Sequence, residues 1–93
     1  MAREIVTKAA FERAYQKLSE SHRELVDDSL RRFEIYLRTR EASGGLGIKH
    51  LGSRTYEFRV GLSLRIVYVL EENRIILALL GTHDEVRRYL KHR

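Results

Sequence analysis

The sequence predicts a single α+β domain over residues 1–93: an N-terminal α-hairpin packed on one face of a small antiparallel β-sheet, with a short C-terminal helix. One change of pattern along the chain predicts this class. Apolar residues recur with helical spacing up to residue 40, and they alternate with polar residues from residue 56 onward. The segment EASGGLGI, at 41–48, separates the two patterns. A chain of this length buries about 65% of its unfolded surface, which is enough for one modest core.

The first two predicted elements are amphipathic helices. One covers residues 7–20 with Thr7 as its N-cap, and its apolar stripe consists of Phe11, Tyr15 and Leu18. The other begins at SHRE, where Ser21 and Glu24 have the spacing of a capping box, and it runs to about Arg40. Its stripe consists of Val26, Leu30, Phe33 and Leu37. A short break between two such helices predicts an α-hairpin.

Three strands and a helix follow the glycine-rich segment. Residues 56–60 form the first strand, Gly61 permits a tight turn, and residues 64–70 form the second. After a polar turn at 71–74, the stretch 75–80 is apolar on both faces, which predicts a covered third strand. The closing helix has Asp84 as its predicted N-cap. For the glycine-rich segment we expect a flexible connector, because no strand precedes it and no GK[ST] follows it, as a phosphate-binding loop requires.

The two faces of the predicted sheet differ in charge. The helical hairpin must cover the face that carries Leu64, Ile66 and Tyr68, because neither layer has another apolar partner. The opposite face carries Glu57, Arg59, Arg65, Val67 and Val69. We therefore expect both arginines on a face open to water, where their charge stays hydrated or meets a ligand. Val67, Val69 and the strand edges then have little cover, which invites a partner protein.

The net charge of +5 is concentrated in the second half of the chain. Residues 44–93 hold nine Lys and Arg against five Asp and Glu, whereas residues 1–43 hold nine against eight. The densest part, residues 49–65, sets Glu57 against four basic residues: Lys49, Arg54, Arg59 and Arg65. Such an excess favours a polyanion, of which nucleic acid is the commonest in the cytosol, and a solvated basic face is the alternative.

Composition also excludes several classes of protein. The chain has no cysteine, which excludes disulfides and thiolate metal sites, and its four histidines include no i, i+4 pair. We expect no metal and no cofactor. No apolar run reaches the roughly 18 residues of a membrane span, and the N-terminal MAREIVTKAA carries charges where a signal peptide is apolar. We expect a cytoplasmic protein with no membrane partner.

Two segments and their order resemble a known family. KHLGSRTYEFRVGLSLRIVYVL, at 49–70, and LALLGTHDEV, at 77–86, are similar to the RelE/ParE superfamily of toxins from bacterial and archaeal toxin–antitoxin systems. The closest similarity lies in RIVY, at 65–68, and GTHDEV, at 81–86. The resemblance covers nearly the whole chain, and it implies the RelE-like fold.

The resemblance also implies a function and partners. RelE-type toxins enter the ribosomal A site and cut messenger RNA without a metal, through attack of a 2′-hydroxyl on the adjacent phosphate. A cognate antitoxin holds such a toxin inactive. Two alternatives stay open: a ParE-type toxin that is not an enzyme and poisons DNA gyrase, and an inactive homologue that binds only its antitoxin or RNA.

Carried over by position, the resemblance implies four catalytic residues. Arg65 falls on the strand arginine that contacts the scissile phosphate, Arg59 falls on a basic strand position, and Lys49 lies near the basic residues before the first strand. His83 falls where the nucleases place an Arg or His. The chemistry agrees, since an arginine fork grips phosphate oxygens and histidine titrates near neutrality. Lys49 or His50 can add to the cationic field or help as an acid.

The remaining positions include RNA-binding candidates and departures from the family pattern. The further RNA-binding candidates are His50, Arg54, Arg87 and Arg88. Glu57 stands where RelE has a lysine, Arg87 where it has a tyrosine, and Asp84 where YoeB-like members have an aromatic residue. Structural alternatives also stay open: Arg65 can pair with Glu57 across the hairpin, and His83 can be an ordinary exposed or capping residue.

Overall fold

The computed structural model describes residues 3–41 and 46–92, and it confirms the predicted α+β architecture. Two N-terminal helices pack on one face of a β-sheet, and a short helix follows the last strand. The described elements, in chain order, are β1 (Glu4–Thr7), α1 (Ala9–Lys17), α2 (Glu20–Thr39), β2 (Lys49–Gly52), β3 (Thr55–Val60), β4 (Leu64–Leu70), β5 (Arg74–Thr82) and α3 (His83–Lys91). None of the described helices is long and apolar enough to cross a membrane.

The sheet has the strand order β1-β5-β4-β3-β2. The strands β3, β4 and β5 form the predicted antiparallel meander, and the turn after β3 begins at Gly61, whose φ is 60°. The two outer strands were not predicted: β1 pairs in parallel with β5, and β2 pairs antiparallel with β3. Their sequences, EIVT and KHLG, are too short to show an alternating pattern.

The core lies between the two N-terminal helices and the sheet. Leu64, Ile66 and Tyr68 of β4 belong to it, as predicted. Phe33 of α2 is fully buried at its centre, with its ring centroid 4.5 Å from that of Phe58 and 4.7 Å from that of Tyr68. Burial of each large apolar side chain contributes about 1.5–3 kcal/mol, so this cluster fixes the helices on the sheet.

The predicted connector is partly a core segment. Residues 42–45 lie outside the described residues, but Leu46 is buried in the core at 1% exposure. Its carbonyl oxygen accepts a hydrogen bond from the backbone N–H of Arg59 at 2.7 Å. The end of the connector is therefore fixed beside β3, and the expectation of a flexible segment is wrong for Leu46.

The sheet face turned away from α1 and α2, here called the outer face, is partly covered. Val67 was expected to be uncovered, yet it is fully buried. Ala78 and Val86 are each only 2% exposed. The helix α3 contacts both β4 and β5, and its Glu85 side chain lies against Gly81. The expectation of little cover is wrong at Val67, because the short last helix folds back over the β4–β5 half of this face.

The first helices begin at residues other than those predicted. Thr7 ends β1, and its hydroxyl donates to Glu12 at 3.0 Å, so Lys8 stands at the N-cap of α1. Ser19, rather than Ser21, caps α2, because its hydroxyl accepts the backbone N–H of His22 at 3.2 Å. The unpredicted strand β1 explains the first difference, since it draws Thr7 into the sheet.

The last helix also begins earlier than predicted. Thr82, rather than Asp84, is its N-cap: the Thr82 hydroxyl accepts from Glu85 N at 3.2 Å, and Glu85 Oε1 accepts from Thr82 N at 2.8 Å. This reciprocal capping box satisfies two backbone donors. It makes His83 the first residue of α3, directly after the end of β5.

Candidate nucleic-acid interface

Charged residues of three adjacent strands meet on the outer face. The register pairs Lys49 of β2 with Glu57 of β3, and Arg59 of β3 with Arg65 of β4. Glu57 and Arg59 alternate with Phe58, which lies in the core, so strand alternation turns all four charged side chains to the outer face. Three cations therefore surround one carboxylate.

The carboxylate is paired with one of these cations. Arg65 Nη1 donates to Glu57 Oε2, and the exposed fractions of the two side chains are 28% and 5%. The pairing across the hairpin, an open alternative from the sequence, is therefore present, and it is deeper than a surface pair. A carboxylate this buried needs a charged partner, so Glu57 holds the Arg65 guanidinium in place. A guanidinium has five N–H donors, which leaves Arg65 with capacity for a second anion.

Arg59 is exposed and differently held. Within the described residues it has no carboxylate partner. Its guanidinium lies against the backbone of Gly47, where an added Cβ would stand 2.6 Å from Arg59 Nε. Like charges placed directly opposite across two strands destabilise a sheet, and Arg59 faces Arg65 in this way. On the outer face, the charge of Arg65 is thus neutralised by Glu57, whereas the charge of the adjacent Arg59 is not neutralised by a described carboxylate.

The β4–β5 register relates His83 to the charged strand residues. Arg65 pairs with Gly81, and His83 is two residues further on, at the first position of α3. Its side chain is 58% exposed, and its Nδ1 is 3.8 Å from Asp84 Oδ1. An exposed imidazole at this place is accessible to a bound molecule.

The strand register places none of the remaining predicted RNA-binding residues opposite the four charged strand residues. The register pairs His50 with Tyr56, on the core-facing side of the sheet, with their ring centroids 4.8 Å apart. Arg54 is exposed in the turn between β2 and β3. Arg87 and Arg88 line a shallow groove on α3 together with Asp84 and Lys91. The structure therefore does not bring His50 to the outer face.

Two contributors to this arrangement were not predicted. Gly47 provides the surface against which Arg59 lies, and no local sequence pattern predicts that contact. The Thr82–Glu85 capping box places His83, and here a signal exists, because THDE has the T-x-x-E spacing of a capping box. Within the described residues, no three His, Asp or Glu side chains are grouped as a metal site requires.

A larger cavity lies elsewhere. It has a volume of about 480 Å³ and is lined by residues of β1, α2 and the start of β5: Arg3, Ile5, Glu34, Leu37, Arg38, Arg40 and Ile75. Ile5 pairs with Ile75, which belongs to the core, so this cavity opens on the helix side of the sheet. None of the predicted site residues lines it.

Comparison with solved structures finds similar folds. The YoeB dimer from Staphylococcus aureus is similar with a TM-score of 0.69 at 19% identity, covering 89% of this chain and 99% of that one. A copper-bound mutant toxin from Helicobacter pylori has a TM-score of 0.68 at 19% identity, covering 91% and 99%. The archaeal RelE–RelB complex from Pyrococcus horikoshii contains a chain with a TM-score of 0.67 at 18% identity, covering 88% and 96%.

Comparison of the amino-acid sequence, by contrast, finds no relative. No protein-family model matches the chain, and no curated protein sequence matches it. The structural matches span nearly the full length of both partners in each pair. The resemblance seen in the sequence is therefore confirmed at the level of the fold: this chain has the fold of the RelE and YoeB toxins.

Proposed function

We propose that this protein is the toxin of a toxin–antitoxin system and that it cleaves messenger RNA on the ribosome. The observation that carries the proposal is the cluster on the outer face, where Arg59 and Arg65 stand opposite each other beside the buried Glu57. Two adjacent guanidinium groups match the negative charge of a phosphodiester. The fold shared with RelE and YoeB supports the same function.

The reaction needs three contributions. A base removes the proton of a 2′-hydroxyl, the 2′-oxygen bonds to the adjacent phosphorus, and the bond from phosphorus to the 5′-oxygen breaks as that oxygen gains a proton. The products are a 2′,3′-cyclic phosphate and a 5′-hydroxyl. Charge on the phosphoryl oxygens rises in the transition state, so fixed cations aimed at them accelerate the step.

The described side chains can be assigned to these contributions. Arg59 and Arg65 hold the phosphoryl oxygens, and Lys49 adds positive charge from β2. His83 takes the proton of the 2′-hydroxyl, because its imidazole is exposed, whereas Glu57 is buried and bonded to Arg65. Lys49 or a water molecule gives a proton to the leaving 5′-oxygen. Glu57 then acts by positioning Arg65. General acid–base help of this kind is worth about 10²–10⁴-fold.

Arg54, Arg87 and Arg88 belong to the proposal as secondary contacts. Arg87 and Arg88 lie on the exposed side of α3, since Val86 between the helix and the sheet is buried. Such contacts add affinity through phosphate charge and carry no sequence information. Work on the ribosome places the protein in the cytoplasm.

A protein antitoxin is the second proposed partner. The solved structures with a similar fold include complexes of RelE with RelB and of YafQ with DinJ. In the described sheet, β1 and β2 are the outer strands, and each has one edge without a neighbouring strand. Such edges accept a strand from another chain. The neighbouring reading frame, expressed together with this protein, should relieve its toxicity and copurify with it.

The proposal is tested by inducing the protein in bacterial cells and in a purified translation system. Growth should stop, and primer extension should show cuts inside translated codons, with a 5′-hydroxyl on each downstream fragment. Intact messages together with a block of gyrase supercoiling would favour the ParE-type alternative. Normal growth and intact messages would favour a homologue that only binds. Either result would overturn the nuclease proposal.

A further inference from the structure

The end of the glycine-rich segment is attached to the strand that carries Arg59. Leu46 is buried in the core, and its carbonyl oxygen accepts the Arg59 backbone N–H at 2.7 Å. Both groups are thus fixed, one by apolar burial and the other by the β3 ladder. Gly47, the next residue, is held directly beside Arg59 as a consequence.

A side chain added at Gly47 would displace the guanidinium of Arg59. An added Cβ would lie 2.6 Å from Arg59 Nε, 2.8 Å from Nη2 and 3.1 Å from Cζ. Three atoms of the guanidinium are therefore packed onto the glycine backbone. The φ of Gly47 is 57°, a left-handed conformation that glycine adopts without steric cost.

Arg59 needs such a support more than its neighbour does. Arg65 is held by Glu57, whereas Arg59 is exposed, faces Arg65 directly and has no carboxylate partner among the described residues. An arginine in that position loses much rotamer freedom when it binds an anion. A side chain already confined by the backbone loses less, and it binds more tightly for that reason.

We infer that Gly47 is a positioning residue that holds the Arg59 guanidinium in place for an RNA phosphate. The inference rests on the proposed function and extends it to a residue that touches no substrate. The substrate group concerned is one phosphate of a single RNA strand.

The chain supplies a matched control. Gly61 has a φ of 60°, close to that of Gly47, but a Cβ there would meet only Leu25 Cδ1, at 3.4 Å. Gly47→Ala and Gly61→Ala therefore both place alanine at an unfavourable positive φ, and only the first displaces Arg59. The probe is a fluorescent single-stranded RNA of mixed sequence, and its binding is measured over a range of salt concentrations.

The expected result is a change in only one of the two glycine variants. Gly47→Ala moves the Arg59 guanidinium away from the phosphate, so the negative slope of log K (association) against log salt should shrink in magnitude by about 0.7, which corresponds to one phosphate contact on a single strand. Arg59→Ala should lower it equally, and Gly47→Ala in the Arg59→Ala background should add nothing. Gly61→Ala should keep the slope of the unmodified protein. Equal slopes for the two glycine variants, or an added loss in the double variant, would overturn the inference.

A second readout is independent of RNA. The Nε–Hε resonance of Arg59, identified by its loss in Arg59→Ala, should shift in Gly47→Ala and stay in place in Gly61→Ala. If Gly47→Ala melts too low for this measurement, adding Arg59→Ala should restore the Tm to that of Gly61→Ala, because the clash is gone. An unshifted resonance or an unrestored Tm would contradict the inference. Unchanged RNA binding by Arg59→Ala, with the resonance shifted as expected, would instead remove the proposed role of Arg59.

Discussion

At the scale of single residues, the outer face depends on Glu57. Its side chain is 5% exposed, in a strand whose other charged neighbours are cations. The sequence allowed either a phosphate contact or an ion pair for Arg65, and the structure shows that the ion pair is formed. The two roles are compatible. The buried carboxylate fixes the direction of the guanidinium, and the arginine keeps its positive charge and its remaining N–H donors.

This pair predicts unequal effects of its two single substitutions. Arg65→Ala should lower the free energy of unfolding by about 3 kcal/mol, because it leaves Glu57 charged and buried without a partner. Glu57→Gln should cost only about 1 kcal/mol, since Arg65 is partly exposed and can reach water. Urea unfolding followed by circular dichroism measures both.

The double variant decides whether the pair is coupled. Glu57→Gln in the Arg65→Ala background should recover about 1–2 kcal/mol, because no charge is then left buried. Simple addition of the two single losses would show that the buried carboxylate is not the cause.

The contact between Arg59 and Gly47 could not be predicted. It joins residues in different elements, and it depends on where the buried Leu46 sets the backbone. Hydrophobic pattern shows that Arg59 lies on the outer face, because alternation settles that question. It does not show which backbone atoms the guanidinium meets.

Among the elements, the length of each strand determined whether the sequence could predict it. The strands β4 and β5 have seven and nine residues and were predicted, whereas β1 and β2 have four each and were not. The two outer strands exist because longer strands offer them an edge, which is a tertiary cause. The start of α3 was misplaced because Thr82 and Asp84 are both good caps, and only the capping box distinguishes them.

The cap of α3 gives a prediction at this scale. Thr82→Ala should lower the free energy of unfolding by about 1 kcal/mol and raise amide exchange in the first turn of α3, where His83 lies. Asp84→Ala, the matched control, should cost only a few tenths of a kcal/mol, because its 87% exposed side chain caps no backbone group and contributes through the helix dipole and the exposed contact with His83. Equal losses would show that the cap lies at Asp84 after all.

In the whole molecule, one face of the sheet forms the core and the other carries the charged residues. The core face holds a continuous series of aromatic rings, in which Tyr68 contacts Phe33 and stacks on Tyr56 at 5.3 Å. The outer face holds the charges and, toward β5, the cover supplied by α3. The sequence predicted this division correctly but placed too little cover on the outer face, because nine residues of α3 were not assigned to any surface.

The core makes stability depend on pH in the alkaline range. Burial raises the pKa of the Tyr68 phenol above its ordinary value of 10.0, with smaller contributions from Tyr36 and Tyr56. The folded state therefore keeps this proton after the unfolded state has lost it. Stability is complete below pH 10 and falls as pH rises further, by about 1.4 kcal/mol per pH unit for one phenol. Tyr68→Phe should show a shallower decline in urea unfolding between pH 9 and 11, and parallel declines would rule out this phenol as the cause.

If the proposed function is correct, cleavage of RNA depends on the paired charges of the outer face. The most direct measurement is the single-turnover rate at which a message on a purified ribosome is cut. It compares the unmodified protein with the double variant Glu57→Gln/Arg65→Gln, which keeps a side-chain pair but no charge. The control is Arg31→Ala, which removes an arginine whose side chain is 70% exposed on α2. The unmodified protein and the control should cut at the same rate, and the double variant should be slower by about 10²-fold or more. Cutting by the double variant at the rate of the unmodified protein would contradict the claim.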